Sequence, residues 1–446
     1  MFIDYIGNTG FLVTLQSGEK VALDWWMSTN AFHGAWSLFP AVSEADRQYF
    51  LSENRPDYVF ISHLHTDHLD PEVLNELDRE TPIIIGKRAH PHLSRSLGGM
   101  GLKNVVEVEF EQEHSFGSFS VVLFDDFSAD ETAPTDQVGY QLDSAILVKD
   151  QDGVSFLNLN DDIPTRAQAE RIAEKFGSPD AAALVCSSAS SYPQCFLNYD
   201  DAQKAEKREE LVQKTTGRFY DVMSGLEPRI AIPCGGAVLN GVLSDLSRFA
   251  QLMPDDAQME KRRGELPAAS ELLVMDARDR LELRSNGRSV EKLREKPASF
   301  PEAVAEAAER QLDHESICLP SSFRILMPNM LRRARQNLWR RQESLELYPD
   351  WLVTLRVEPL GSIRPDDAVG PMKFSYTFDL KSPEPVASPD ESRQHIEFVI
   401  DARLLLMVLI SATVWDNVYT ASLVQTRREP DVFDMNVTKL MSFFAV

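Results

Sequence analysis

The chain is most constrained by a group of metal-ligand residues that directly follows a strand-like run, YVFIS (58–62). That continuous apolar run predicts a strand buried on both faces, whereas PEVLNELDRE (71–80) begins with proline and has apolar residues at helical spacing, which predicts a helix. Of the six residues from 63 to 68, four have ligand-type side chains: His63, His65, Asp67 and His68. The fold must therefore place all four at a strand-to-helix junction.

The spacing within this group predicts a metal site. His63 and His65 are two residues apart, so a locally extended backbone points both imidazoles the same way. Asp67 and His68 follow where the chain turns into the helix, and we expect them to face a second metal beside the first. Nitrogen and oxygen ligands suit zinc, iron or manganese. Surface histidines or a helix-capping aspartate would explain one such residue, but not four close together.

The rest of the first half alternates strand and helix signals, which predicts an α/β layered domain over residues 1–245. Apolar runs predict further strands at 11–15, 20–26, 82–86, 105–110, 119–124, 145–149, 155–160, 183–188 and 229–236, and helices at 165–177 and 201–225. A polar, proline-flanked stretch follows at 254–270. Residues 246–446 are expected to form a helical segment and a smaller C-terminal α+β domain.

Composition excludes several classes of partner. The formal net charge is −24, so nucleic acid and anionic membranes are not expected to bind, whereas a small-molecule substrate is. The basic stretch 331–342 is expected to be a solvated helix face. The longest apolar run, 404–410, is too short to cross a bilayer, and the opening MFIDYIGNTG does not look like a leader. Four well-separated cysteines without a CxxC pair favour a reduced, cytoplasmic setting.

The HxHxDH pattern at a strand end resembles the signature of the metallo-β-lactamase superfamily. IGNTGFLVTLQSGEKVALDWW resembles the opening hairpin of that family and the strand that ends in Asp24. The resemblance implies an αββα sandwich with metals at one sheet edge, and Asp24 as a hydrogen-bond partner of a metal-bound histidine.

Family members normally supply three later ligands, and this chain departs from two of them. FLNLNDD (156–162) offers Asp161 as the bridging aspartate, with Asp162 as the fallback. FSVVLFDD (119–126) ends in Asp126 where hydrolases usually have histidine. At the last position RIAIPCGG has glycines, Gly235 and Gly236, and no histidine. These departures make a standard two-zinc hydrolase a poor match.

Three further stretches resemble the CMP-N-acetylneuraminate hydroxylase family: 22–40, SSASSYPQCF (187–196) and 414–434. That resemblance implies a non-heme iron hydroxylase. The family's Rieske domain, which delivers electrons, is not expected here because the sequence contains no CxH…CxxH. Either a separate electron-donor protein supplies the electrons, or the chemistry differs from that of the family.

The resemblance and the residues together imply one or two iron ions, with zinc or manganese as the alternative. His63, His65 and Asp126 would make a two-His-one-carboxylate set, the ligand type of O2-activating ferrous iron, while Asp67, His68 and Asp161 could hold a second ion. His33, in AFHGAW, is expected at the mouth of the site, and Tyr192 is expected to line the pocket.

Three functions stay open at this point. The first is an iron-dependent oxygenase of hydroxylase type that acts on a polar small molecule. The second is a metal-dependent hydrolase of an ester, lactone or phosphoester, in which Asp67 would orient or deprotonate a metal-bound water. The third is a non-catalytic binding subunit, because a ligand histidine is missing.

Overall fold

A computed structural model provides the structure of the protein. It describes residues 1–29, 31–127, 142–188, 190–239, 254, 256–292, 300–319, 322–360, 372–386 and 392–446.

The first of two large sheets contains the strand that leads into the histidine cluster. Its eight strands lie in the order β17-β16-β1-β2-β3-β5-β6-β7. They are β1 (Phe2–Gly7), β2 (Gly10–Thr14), β3 (Lys20–Leu23), β5 (Tyr58–Phe60), β6 (Ile83–Gly86), β7 (Val105–Val108), β16 (Asp279–Arg284) and β17 (Gly287–Lys292). From β3 to β7 the pairing is parallel, so the carboxyl ends of these strands share one edge.

The second sheet has seven strands in the order β15-β13-β12-β11-β10-β9-β8. They are β8 (Glu113–Ser115), β9 (Phe119–Asp125), β10 (Ser144–Asp150), β11 (Ser155–Asn158), β12 (Ala181–Val185), β13 (Ile230–Cys234) and β15 (Glu271–Leu272). Strand β10 is antiparallel to both β9 and β11, whereas β11, β12, β13 and β15 are parallel.

The two sheets pack face to face, with helices on both outer faces, so the αββα sandwich and the α/β class predicted from the sequence are confirmed. Strand β9 shows how sequence alternation builds the layers: Val121 and Leu123 enter the core between the sheets, while Val122 and Phe124 enter the outer core. The helices of the sandwich are α1 (Glu44–Gln48), α2 (Pro71–Glu76), α3 (His92–Gly99), α4 (Arg166–Phe176), α5 (Asp201–Leu226) and α6 (Asp256–Glu260).

The C-terminal region forms an α+β unit around a four-stranded sheet in the order β19-β18-β20-β21. Its strands are β18 (Leu352–Val357), β19 (Phe374–Asp379), β20 (His395–Ile400) and β21 (Gln425–Glu429), and its helices are α7 (Phe300–Ala308), α8 (Phe323–Leu345), α9 (Ala402–Leu409), α10 (Trp415–Thr420) and α11 (Met435–Met441). Its core also includes Trp26, Phe32 and Trp36 from the first part of the chain. This shared core joins the two regions, because apolar side chains of both are buried together.

The sheets extend beyond residue 245, the domain boundary expected from the sequence. Strand β15 pairs with β13, and β16 pairs with β1, so residues 271–292 belong to the layers of the sandwich. A separate two-stranded ribbon joins β4 (Trp36–Leu38) to β14 (Ala237–Leu239). Among the described residues, none of the helices is both long enough and apolar enough to cross a lipid bilayer.

Candidate metal centre

The turn that carries the histidines is held by the aspartate that ends it. Oδ1 of Asp70 accepts hydrogen bonds from the backbone N–H groups of Glu72 and Val73 and so caps helix α2, which has proline at its first position. Oδ2 of Asp70 accepts from the N–H groups of Met27 and Ser28. Asp70, two residues after the HxHxDH motif, therefore has a structural role, and it fixes the turn against the loop after β3.

The topology brings several strand ends to the edge of the sandwich where this turn lies. Strands β3 and β5 are parallel neighbours, so Asp24 and Ser62 follow them side by side, and Oδ1 of Asp24 accepts the Ser62 N–H at 2.8 Å. In the second sheet Asp161 follows β11, and Asp143 precedes the antiparallel β10. The Ser144 hydroxyl joins the sheets by donating to the Ser62 carbonyl at 2.8 Å.

His63 and His65 converge through the nitrogens that a shared metal would need. Nε2 of His63 lies 2.8 Å from Nδ1 of His65. The opposite nitrogens have other partners: Nδ1 of His63 lies 2.8 Å from Oγ of Ser62, and Nε2 of His65 lies 2.7 Å from Oδ2 of Asp416. Each ring is thereby oriented from its far side, with the facing nitrogens directed to one point.

His68 presents its Nε2 to two carboxylates. This nitrogen lies 3.4 Å from Oδ2 of Asp67 and 3.4 Å from Oδ2 of Asp161. Its Nδ1 lies 3.0 Å from Oδ2 of Asp24. Asn8, in the hairpin turn between β1 and β2, donates from Nδ2 to Oδ2 of Asp67 at 3.0 Å.

Two polar atoms at this point are buried and lack a hydrogen-bond partner within the described part of the chain: Nε2 of His68 and Oδ1 of Asp67. Buried polar atoms nearly always have a hydrogen-bond partner, so two such atoms without one in the same cluster require an explanation. A divalent cation provides one, because it binds an imidazole nitrogen and carboxylate oxygens at once. Ligand atoms of His63, His68 and Asp161 also lie within 4.8 Å of one another. The residues present therefore fit a metal ion.

The electrostatics of the cluster favour a cation. Burial would lower the pKa of His68, but Asp67, Asp161 and Asp24 raise it well above its ordinary value. Burial also lowers the pKa of His65, but the hydrogen bond to Asp416 outweighs this effect and the pKa rises to about 9. At His63 burial, together with the positive charges of His68, His65 and Arg88, lowers the pKa well below the ordinary value, which leaves a neutral imidazole. The negative potential that raises two of these values also attracts a metal ion.

Asp143, a residue that the sequence analysis did not single out, lies beside the histidines. Its Oδ1 is 3.4 Å from Nδ1 of His63. Burial and the negative charges of Asp161 and Asp126 raise the pKa of Asp143 to about 7, against the opposing effect of His65. The described structure therefore supplies a carboxylate at this edge from the start of β10.

Asp126, the ligand expected from the sequence, lies just beyond the end of β9. It is partly exposed and lines a surface cavity with Phe127, Gln168 and Arg171. Burial, with the charges of Asp143 and Asp126, raises the pKa of Asp162, the fallback bridge, well above its ordinary value. Oδ1 of Asp162 accepts the Phe127 N–H at 2.9 Å. The backbone N–H of Phe127 thus holds the Asp162 carboxylate in place.

The position of the missing histidine is closed to any side chain. Gly235 has φ +110°, and a Cβ there would lie 2.6 Å from Oγ of Ser187 and 2.9 Å from Cγ2 of Val185. Its N–H donates to the Asn8 carbonyl at 2.8 Å. A histidine at this position would have a strained backbone and would have to displace the side chains of Ser187 and Val185.

Two other sequence-predicted residues, His33 and Tyr192, contact residues of the C-terminal half of the chain. Nε2 of His33 lies 2.8 Å from Oγ1 of Thr413, and its Nδ1 lies 3.3 Å from Asp313. Tyr192 belongs to an aromatic group with Phe196 and Tyr199. That group packs around the guanidinium of Arg428, which lies 4.8 Å from the centre of the Phe196 ring.

Sequence reasoning missed Asn8, Asp143 and Asp416. A signal existed for Asp143, because it lies just before a predicted strand. If that strand runs antiparallel to β9, its start and the end of β9 lie at the same edge of the sheet. The GNTG turn was a weaker signal for Asn8. For Asp416 there was none, since it lies 351 residues after its partner His65.

No protein-family profile matches the sequence. The chain is 28% identical over 267 residues to a protein of Mycobacterium tuberculosis (strain H37Rv) named "Putative Rieske 2Fe-2S iron-sulfur protein", which covers 57% of this chain and 48% of that protein. It is 22% identical over 446 residues to the cytidine monophosphate-N-acetylneuraminic acid hydroxylase of Danio rerio, which covers 94% of this chain and 68% of that one. The chain thus spans about half the length of the mycobacterial relative.

Among solved structures, the chain is similar to CmlA, a diiron β-hydroxylase from Streptomyces venezuelae. The TM-score is 0.43 at 15% identity, over 66% of this chain and 54% of that chain. The curated relatives include the hydroxylase family that the sequence motifs resemble, and the neighbouring structures include metallo-β-lactamase fold proteins.

Proposed function

We propose that this protein is a non-heme iron oxygenase that hydroxylates a polar small molecule, with one or two iron ions in the buried histidine–aspartate cluster. The observation that carries the proposal is the carboxylate-rich composition of the cluster. Three histidines share it with Asp67, Asp143 and Asp161, while the position of a fourth histidine is closed by Gly235. Histidine and carboxylate ligands with open positions are typical of O2-activating ferrous sites.

The proposed ligands follow from the contacts. His63 through Nε2 and His65 through Nδ1 would hold the first ion, and Asp67 and His68 through Nε2 a second ion, with Asp161 between them. Asp126 is the further ligand expected from the sequence. We propose that Asp143 orients His63 from its far side, because its Oδ1 lies 3.4 Å from Nδ1, the nitrogen opposite the one that would bind the ion.

Bound iron would supply the activation of O2. The chain's own residues hold the site rigid and control its protons. Asn8 fixes Oδ2 of Asp67 and so directs the buried Oδ1 of the same carboxylate toward the ion that it would help to hold. His68 cannot turn, because Asp24 is hydrogen-bonded to Nδ1 and to the Ser62 N–H.

Hydroxylation of a C–H bond by O2 consumes two electrons and two protons and releases one water, so an electron donor is needed. The relatives named as Rieske and hydroxylase proteins support an iron–sulfur protein as the donor, which we propose is a separate partner.

One observation favours hydrolysis of an ester, lactone or phosphoester as the second candidate. The unpaired oxygen of Asp67 lies where it could orient and deprotonate a water on zinc or manganese. This alternative uses the same ligands and needs no electron donor.

Metal content and O2 reactivity distinguish the two. Protein produced with iron, zinc and manganese available would be analysed for bound metal. The iron-loaded, anaerobically reduced protein would then be mixed with O2 while its optical spectrum is followed. His68→Ala serves as the matched variant, because it removes the nitrogen between Asp67 and Asp161.

We expect iron, and a spectral change with O2 that His68→Ala diminishes. Zinc or manganese in the isolated protein, with hydrolysis that proceeds equally without O2, would contradict the oxygenase and support the hydrolase. Absence of any bound metal after such production would contradict both and leave the binding subunit.

A further inference from the structure

The C-terminal unit contacts the metal cluster through the carboxylate of Asp416. Oδ2 of Asp416, in the first turn of α10, lies 2.7 Å from Nε2 of His65. Only 11% of the Asp416 side chain and 17% of the His65 side chain are exposed. A hydrogen bond to a carboxylate is strong when solvent is largely excluded.

The geometry assigns the tautomer of His65. In the neutral ring that metal binding requires, a carboxylate at Nε2 keeps the proton on Nε2, so the lone pair is on Nδ1. Nδ1 is the atom that faces Nε2 of His63 at 2.8 Å. The same arrangement orients metal-bound histidines generally, where a carboxylate fixes both the ring and the proton.

The segment that carries Asp416 is fixed against the sandwich at a second point. Thr413, three residues earlier, is buried and lies 2.8 Å from Nε2 of His33. The residue before His33, Phe32, uses its N–H to bond Oγ1 of Thr66, between His65 and Asp67, at 2.7 Å. Residues 413–416 are therefore attached to the histidine turn at both ends.

We propose that Asp416 is a positioning residue of the metal centre, and that the C-terminal unit completes this centre by holding His65 ready to bind metal through Nδ1. The inference rests on the proposed metal site and concerns neither the reaction nor the identity of the metal. It explains why the fold buries a C-terminal carboxylate against a histidine that belongs to the first sheet.

Cobalt(II) binding to the full chain tests this role without an assay of activity. Apparent affinity would be measured by competition with a chromophoric chelator, and the visible spectrum of bound cobalt would report ligand geometry. Asp416→Ala should weaken binding by roughly 10- to 100-fold and alter the spectrum. Asp416→Asn, which keeps an oxygen but no charge, should lie between Asp416→Ala and wild type, and Asp416→Glu should recover part of the affinity.

Asp434→Asn is the matched control. Oδ2 of Asp434 accepts a hydrogen bond from the ring nitrogen Nε1 of Trp351 at 2.9 Å, so the variant weakens the same kind of contact within the same unit. Its cobalt affinity and spectrum should equal those of the wild type.

The possible failures are distinguishable. If wild-type protein binds no cobalt, the proposed metal site itself fails. If the wild type binds cobalt and Asp416→Ala binds it with the same affinity and spectrum, the positioning role is wrong while the site stands. Equal losses in Asp416→Ala and Asp434→Asn would show only general destabilisation of the unit and would also overturn the inference.

Discussion

Nδ1 of His68 lies 3.0 Å from Oδ2 of Asp24, and neither side chain is exposed to solvent. Burial raises the pKa of Asp24, while its contact with His68 opposes that rise. The other carboxylate oxygen accepts the Ser62 N–H. Asp24 thus connects the end of β3 to the turn after β5 and determines which nitrogen of His68 faces the cluster.

Replacement Asp24→Asn should weaken metal binding by roughly 10- to 100-fold. The amide oxygen would keep the Ser62 N–H, so the amide NH2 would face Nδ1 of His68. That geometry favours the tautomer with the proton on Nε2, which cannot bind a metal there. Chelator competition measures the effect.

Asp150→Asn serves as the control for this experiment. Asp150 is also buried, and it accepts the N–H groups of Gln16 and Gln151 away from the cluster. Unchanged affinity in Asp24→Asn, or an equal loss in both variants, would contradict the role given to Asp24.

Asp143→Ala and Asp126→Ala compare the carboxylate found beside His63 with the one expected from the sequence. Oδ1 of Asp143 lies 3.4 Å from Nδ1 of His63, whereas Asp126 lines a surface cavity with Phe127 and Gln168. We expect Asp143→Ala to lower metal affinity at least about tenfold and Asp126→Ala to change it little. Bound metal per chain and chelator competition provide the measurement. The reverse order would restore Asp126 as the ligand and remove Asp143 from the proposal.

Gly235→Ala should destabilise the protein more than Gly18→Ala. Both glycines have positive φ, so each alanine incurs a backbone cost of about 1–3 kcal/mol. At Gly18 a Cβ would meet nothing within 4 Å, whereas at Gly235 it would overlap Ser187 and Val185, which should cost about 1–3 kcal/mol more. Urea unfolding of both variants measures the difference, and equal losses would refute the close approach.

Gly235→Ala should also reduce metal affinity, because the N–H of Gly235 supports Asn8, which in turn holds Asp67. Gly18→Ala, distant in its contacts, should not. If Gly235→Ala destabilises the protein but binds metal with wild-type affinity, the packing of Gly235 does not support the metal site and this prediction is wrong.

His314 should make the protein less stable as the pH falls from about 6.5 to 4. The residue is buried, and both ring nitrogens lack a hydrogen-bond partner among the described residues. Burial lowers its pKa to about 4, with Asp401 and Asp313 opposing and Arg403 and His33 adding to the shift. The unfolded chain takes up this proton near pH 6.5 and the folded chain only near pH 4, so the unfolded state is favoured increasingly across that window.

His314→Leu should remove this component, on the order of 2–3 kcal/mol, while leaving stability at pH 7.5 within about 1–2 kcal/mol of wild type. Denaturant unfolding of both proteins at several pH values gives the difference directly. The exposed His90, replaced by Gln, is the control and should follow the wild type. Parallel pH curves for wild type and His314→Leu would show that His314 does not titrate in this window.

The sequence by itself determined the layered class of the fold and the strand–turn–helix that carries the histidines. Both are local properties. Alternating and continuous apolar runs define strands, and the four ligand-type residues lie within six consecutive positions, 63–68. Proline and aspartate at the start of α2 likewise mark the end of the turn.

Only the tertiary structure decided which distant residues complete the cluster. Asp143 meets His63 because an antiparallel hairpin returns the chain to the same edge, and Asp416 meets His65 because the C-terminal unit packs on the sandwich through a shared apolar core. The direction of β10 and the docking of that core depend on burial summed over many residues, which no local pattern records. For the same reason residues 271–292 extended both sheets past the boundary expected at 245.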